Sequence, residues 1–350
     1  MAGRVGLICL LAALVIGWQQ ATRMPIFEKP QITEPQPVKL GVIPAAAEII
    51  YHFDGYIYVA DSDGEQVTQI TFDLPRSYEH VAVSPDRRFI AANIQLPNPN
   101  ADPGGHSQVW LFDLENSTQV QLVPAFDSAG NGGVDWDHTG FVYFVAKETD
   151  VIENPQSPSE FIQNAVANDV YKVRYDGTGL MRLTDSTDGG EADVGVSPDG
   201  TLVSYIKEVI DLEKGNHTEI WVMNTDGSDS RLIYVGGIVK IGSVHDPEIS
   251  SDNTQIAFSK VNPDFKNFPE HPAANTAHDL YIIQMNGTDL TRLTQPGPIS
   301  IIPNWKDHLV IYTELNDTEQ YIGVSMVNGY EIDQRPKRIR VGGNMANWMP

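Results

Sequence analysis

The stretch GVSPDGTLVSYIKE (residues 195–208) places Ser197 two residues after Gly195 and three before Gly200, one residue away from the G-x-S-x-G spacing of a nucleophile elbow. An elbow needs glycine two places after the serine, where its strand-to-helix turn has no room for a side chain. That place holds Asp199. The residues beyond the turn, Leu202 to Ile206, are apolar and β-favouring with no helical period, so the stretch reads as strand, turn, strand.

The same pattern recurs. HVAVSPDRRFIAANI (80–94) and DPEISSDNTQIAFSK (246–260) repeat DVGVSPDGTLVSYIK (193–207), and degenerate copies stand at 133–147 and 302–314. Between these copies run DVYKVRYDGTGLMRLTD (169–185), EIWVMNTDGSDSRLIYV (219–235) and DLYIIQMNGTDLTRLTQ (279–295), with related forms at 108–123 and 320–341. Asp-Gly or Asn-Gly between apolar runs is a hairpin signal, because the tight turn needs positive φ. Each unit is therefore two hairpins, or four strands. The last strand residues before the Ser-Pro-Asp turns, Val83, Trp136, Val196, Ile249, Trp305 and Trp348, are spaced by about 43 to about 60 residues, the range of propeller blades with loop insertions.

Trp348 has no hairpin after it, whereas AEIIYHFDGYIYVADSDGEQVTQITF (47–72) supplies a second, third and fourth strand with no first. The expected fold is an all-β, six-bladed β-propeller of four-stranded blades, closed by three N-terminal strands and one C-terminal strand. Closure of this kind leaves no open sheet edge at the ends of the ring. Because Ser197 aligns with Ser84 and Ser250, and Asp137 fills the same slot, these residues are assigned to turn geometry and not to catalysis.

SPDG and the strand after it, then IWVMNTDGS and LYIIQMNGTDLTRLT, resemble the TolB-type (WD40-like PD40) propeller repeat over residues 47–350. That motif is specific for the propeller and not for a function. The TolB family carries an α/β domain ahead of its propeller, where this chain has a proline-rich segment, so a place in the Tol-Pal system is not implied. Prolyl oligopeptidase-like proteins also carry such propellers, but their hydrolase domain would have to come after residue 350.

A balance of 23 basic against 46 acidic residues gives a net charge of -23, which repels a phosphate backbone, so nucleic acid is not an expected partner. The one dense basic cluster, Arg335, Lys337, Arg338 and Arg340, falls in a strand hairpin and reads as a solvated face. The only cysteine, Cys9, lies in the apolar run VGLICLLAALVIGW, so the folded body has no thiol chemistry. Residues 1–22 are expected to be a signal peptide or an uncleaved signal anchor, residues 23–46 a proline-rich linker, and residues 47–350 the propeller. The chain is thus expected to be exported, periplasmic or extracellular, and to touch a membrane only through that anchor.

The Ser-Pro-Asp and Asp-Gly turns are short, while the connections between second and third strands are long: 96–107, 148–168, 208–218 and 261–278. Long loops on one side of a rigid scaffold are where binding concentrates. SPSE (157–160) matches a capping box and predicts a short helix through Phe161 to Val166. Phe161, Phe265, Phe268 and His271 are candidate partner-binding residues on these loops, against the alternative that they pin the loops to the blades. The blade-to-blade segments reach the channel mouth on the same face with Glu79, His80, Glu191, Asp193, His245, Asp246 and Asn344. Carboxylates and imidazoles of this kind suit a divalent cation or the basic groups of a partner. No pair has fixed metal-ligand spacing, so metal binding stays open and no cofactor is implied.

The favoured function is an exported, non-catalytic propeller that binds a protein or ligand in the cell envelope. The alternative is a metal-dependent polysaccharide lyase of the oligogalacturonate lyase-like type, in which a resemblance to that family would assign the metal site to His80 and His245.

Overall fold

The computed structural model describes residues 32–350 apart from 74, 97–105, 125, 129–131, 149–167, 187–188, 239–241, 263–276, 295–298, 316–319, 329–330, 333–336 and 342–343. Every regular element among them is a strand, and the strands form six antiparallel blades in a ring. Blade 1 runs through Ser77–Val83, Phe89–Leu96, His106–Asp113 and Thr118–Leu122. Blade 3 is Gly189–Val196, Leu202–Val209, His217–Asn224 and Arg231–Ile238. Blade 4 is Val244–Ile249, Gln255–Asn262, Ala277–Gln284 and Thr291–Arg292. Blade 2 splits its inner strand into Phe126–Ser128 and Val134–Trp136, both paired with Phe141–Glu148. Blade 5 opens with Ile299–Lys306 and Leu309–Leu315.

Blade 6 is the closure expected from the sequence. Asn344–Trp348 forms its inner strand against Ile49–Phe53, with Ile49 opposite Trp348 and His52 opposite Asn344, and Tyr56–Ala60 and Val67–Gln69 complete it. Arg87 of blade 1 clamps the joint, its Nη2 donating to the Pro350 carbonyl at 2.6 Å and its Nη1 to that of Ala47 at 3.1 Å.

The inner strands, such as Gly189–Val196, bury both faces, because a blade is covered by its neighbours on either side, whereas outer strands such as Arg231–Ile238 are largely exposed. The six apolar clusters track the six blade boundaries: between blades 3 and 4, for example, Ile206, Ile220 and Val222 meet Ile249, Ile256 and Phe258. Burying side chains of this size contributes roughly 1.5–3 kcal/mol each, so the boundaries supply most of the driving force for the ring. Trp136, Trp305 and Trp348 sit buried at three boundaries, whereas Trp221 is half-buried and donates through Nε1 to Glu219.

The recurrent turn is a hydrogen-bonded device. The Oγ atoms of Ser84, Ser197 and Ser250 each accept the N–H five residues on, from Phe89, Leu202 and Gln255, at 2.9 Å, and Asp137 Oδ1 accepts the N–H four residues on, from Phe141, at 3.0 Å. A second device closes the other end of the blade. Thr71, Thr184 and Thr294 accept through Oγ1 from Ile57, Val170 and Leu280.

Residues 32–46, within the segment expected as a linker, are extended and lie against the ring. Gln36–Pro37 pairs with the outer strand of blade 1, Leu40 bridges to Thr71 of blade 6, and Val38 is buried. Among the described residues no helix is long and apolar enough to cross a membrane.

Candidate functional site

The inner strands reach the channel through a common irregularity. In blades 3, 4 and 5 the pairing slips by a residue between Ala192 and Gly195, His245 and Glu248, and Ile301 and Asn304. At each slip one residue takes positive φ: Asp193 at 51°, Asp246 at 52° and Ile302 at 55°. Bulges re-aim side chains, and left-handed backbone in a residue other than glycine stores on the order of 1–3 kcal/mol. Here the bulges gather Asp193 and Asp246 at one channel mouth.

Asp246 donates its backbone N–H to Asp193 Oδ2 at 3.2 Å, and its own Oδ2 accepts from Ser259 Oγ at 2.7 Å and from the Ile302 N–H at 3.3 Å. His245 Nδ1 lies 3.7 Å from Asp193 Oδ2, and its Nε2 contacts Ser243 Oγ at 3.1 Å. Burial disfavours charge on the His245 ring, but Asp193, Asp246 and Glu208 outweigh it and raise its pKa. Burial raises the Asp246 carboxyl, and the nearby Asp193 charge adds to the effect. Glu208 is raised for the same two reasons.

From the far side of the ring, His80 of blade 1 is lowered by burial and feels the Asp246 carboxylate in the opposite sense. His52, behind it in blade 6, is lowered to about 4 by burial and by His80. The mouth is therefore acidic, with His245 as its most readily protonated imidazole and 34% of that side chain open to solvent.

Of the seven channel residues expected from the sequence, His80, Asp193, His245 and Asp246 form this electrostatically linked group. Glu79 instead accepts from Ser107 Oγ at 2.6 Å and is raised by burial to about 7. Glu191 accepts from Ser186 Oγ at 2.5 Å and is raised to about 7, first by burial, with Asp169 nearby. Asn344 takes its place in the closing strand opposite His52. Phe161, Phe265, Phe268, His271 and the expected 161–166 helix lie outside the described residues.

Sequence reasoning missed Glu208 and a deeper polar layer. Asp135 accepts from the Val196 N–H of the next blade at 2.8 Å, and Asn304 from that of Trp348 at 3.0 Å. Asn347 donates to the Val81 carbonyl at 2.8 Å. Glu248 stands well above its ordinary pKa because it is buried and faces Asp135 and Asp246, while Asp135 is raised by burial to about 6. These residues share the column just before the last strand residue, which the repeat alignment already contains. Among the described residues, no group of three or more His, Cys, Asp or Glu side chains is arranged to hold a metal ion.

The fold and the channel together define a six-bladed propeller of the TolB-like type. No family model and no curated protein matches the sequence. Among solved structures the chain is similar to TolB from Acinetobacter baumannii, with a TM-score of 0.57 and 15% identity, covering 88% of this chain and 68% of that one. It is also similar to a chain of a nidogen/laminin complex, with a TM-score of 0.58 and 9% identity, covering 87% and 98%. Oligogalacturonate lyase from Vibrio parahaemolyticus matches with a TM-score of 0.50 and 13% identity, covering 81% and 75%. Likeness at these identities establishes architecture alone.

Proposed function

We propose that this chain is an exported, non-catalytic β-propeller that binds a protein or other envelope component at the channel mouth. The observation that carries the reading is the gathering of Asp193, Asp246 and Glu208 around His245, which makes an acidic, partly open recess. Such a recess complements a lysine, arginine or amino group presented by a partner. The match to a chain of a nidogen/laminin complex is consistent with this architecture serving in a protein complex. Turn geometry accounts for Ser84, Ser197 and Ser250 without a catalytic duty.

We further assign residues 1–22 to a signal peptide or signal anchor, 23–46 to a linker and 47–350 to the propeller. The described part of that linker, residues 32–46, packs on blades 1 and 6. Cell fractionation with N-terminal sequencing tests the assignment: a mature exported chain starting near residue 23, or an envelope-bound chain with an intact N-terminus, is expected. A chain confined to the cytoplasm contradicts it.

The second reading, a metal-dependent polysaccharide lyase, is favoured by the electrostatic link between His80 and the Asp246 and His245 group, and by the lyase fold match. Elemental analysis of the purified chain separates the two. The binding reading expects no stoichiometric divalent metal. One metal per chain, lost in His80→Ala or His245→Ala, favours the lyase.

A further inference from the structure

On the opposite face, where the hairpin turns lie, a cleft of about 340 Å³ opens between blades 4 and 5. Its apolar wall is Trp305 and Val327, and its polar lining includes Gln255, Gln284, Asp307 and His308. Within the described residues, these four side chains make no hydrogen bond to the protein. Gln255 and Gln284 are half-buried, and polar groups so placed are ordinarily satisfied by protein, water or ligand.

Between blades 1 and 2, Trp136 Nε1 donates to the Ala82 carbonyl at 3.2 Å, whereas the indole nitrogens of Trp305 and Trp348, at the same repeat position, are buried without a partner. Trp305, which lines the cleft, is thus one of two such residues whose indole N–H is left unpaired.

The lining specifies the ligand. Asp307 and the neighbouring Asp252 carry negative charge and disfavour an anion. The two amides offer both donors and acceptors, the imidazole one of each, and the carboxylate acceptors only. A hydroxyl group, which donates and accepts, matches all of them, and the C–H face of a ring suits the wall of Trp305 and Val327. The volume is at the small end of ligand sites. We infer that this cleft binds a small, neutral, polyhydroxylated ligand of mono- or disaccharide size, at a site separate from the channel mouth.

Isothermal titration of the full chain with lactose, N-acetylglucosamine and glucosamine tests this. Expected is millimolar-range binding of at least one neutral saccharide, weakened at least tenfold by Gln255→Ala with Gln284→Ala and also by His308→Ala, and unchanged by Asp193→Asn. His308 lies on an exposed turn, so its variant tests the site even if the double variant fails to fold. No binding of either neutral saccharide, stronger binding of cationic glucosamine, or binding indifferent to the cleft variants overturns the inference.

Discussion

Ser197 is 2% exposed, and its hydroxyl accepts from the Leu202 and Thr201 N–H groups and donates to Asp199 Oδ1 at 2.7 Å. Ser197→Ala leaves the half-buried Leu202 N–H without that acceptor and should lower unfolding free energy by about 1–2 kcal/mol. Urea denaturation checks this. An unchanged midpoint with a lost biological activity would restore the nucleophile reading. Titration gives a second residue-scale prediction. Glu79 and Glu191 are raised to about 7 in the fold, so between their unfolded values and pH 7 the native chain holds protons that the unfolded chain has released. Stability must therefore fall as pH rises through that window and level off above it. Glu191→Gln keeps an acceptor for Ser186 and should remove roughly 3 kcal/mol of that fall, since each pKa unit corresponds to about 1.4 kcal/mol. Urea unfolding at several pH values reads the slope. His52, lowered to about 4, acts in the other direction, losing stability as pH drops below its unfolded value; comparing variant with wild type isolates Glu191. The serines were legible because they recur in register. Asp135 and Glu248 were not recognised because their column also holds Ala82 and Gly195, so no residue type marks it, and Glu208 lies at the far end of a second strand with no repeat signal at all.

Strands and hairpins match the sequence pattern closely, since alternation and Asp-Gly turns act locally. The inner strand of blade 2 does not, because its break is a matter of packing. Gly133 has φ of +70°, and a Cβ there would meet the Val194 carbonyl oxygen at 2.5 Å. Blade 3 comes so close that only glycine fits, and Gly133→Ala should destabilise the chain by about 2 kcal/mol or more, seen as a lowered melting temperature. Little change on heating would mean that the two blades are not held together there. Equally hidden from local pattern was the outer strand of blade 3. It runs eight residues, Arg231–Ile238, and registers through two irregularities against His217–Asn224. Proline spacing likewise suggested that residues 23–46 form an extended segment, but it carried no sign of the pairing that lays Gln36–Pro37 along blade 1.

The ring depends on contacts between its two ends, and Arg87 holds both of them. Arg87→Ala removes three hydrogen bonds to carbonyls of Ala47 and Pro350 and should cost about 1–3 kcal/mol by urea unfolding, given the charge on the donor. Closure could be deduced from the sequence because 47–72 lacks an inner strand that Asn344–Trp348 supplies. The composition of the channel mouth was legible as well, but its grouping was not, since the bulges decide which carboxylates meet. A chain of net charge -23 with an acidic recess is suited to a basic partner. The most direct test is quantitative cross-linking of the full chain in its own cell envelope, comparing wild type, an Asp193→Asn/Asp246→Asn variant and Asp252→Asn on the opposite face. Binding at the channel mouth predicts a partner adduct that the channel variant loses and the Asp252 variant keeps. An adduct that survives neutralisation of the channel mouth would contradict it.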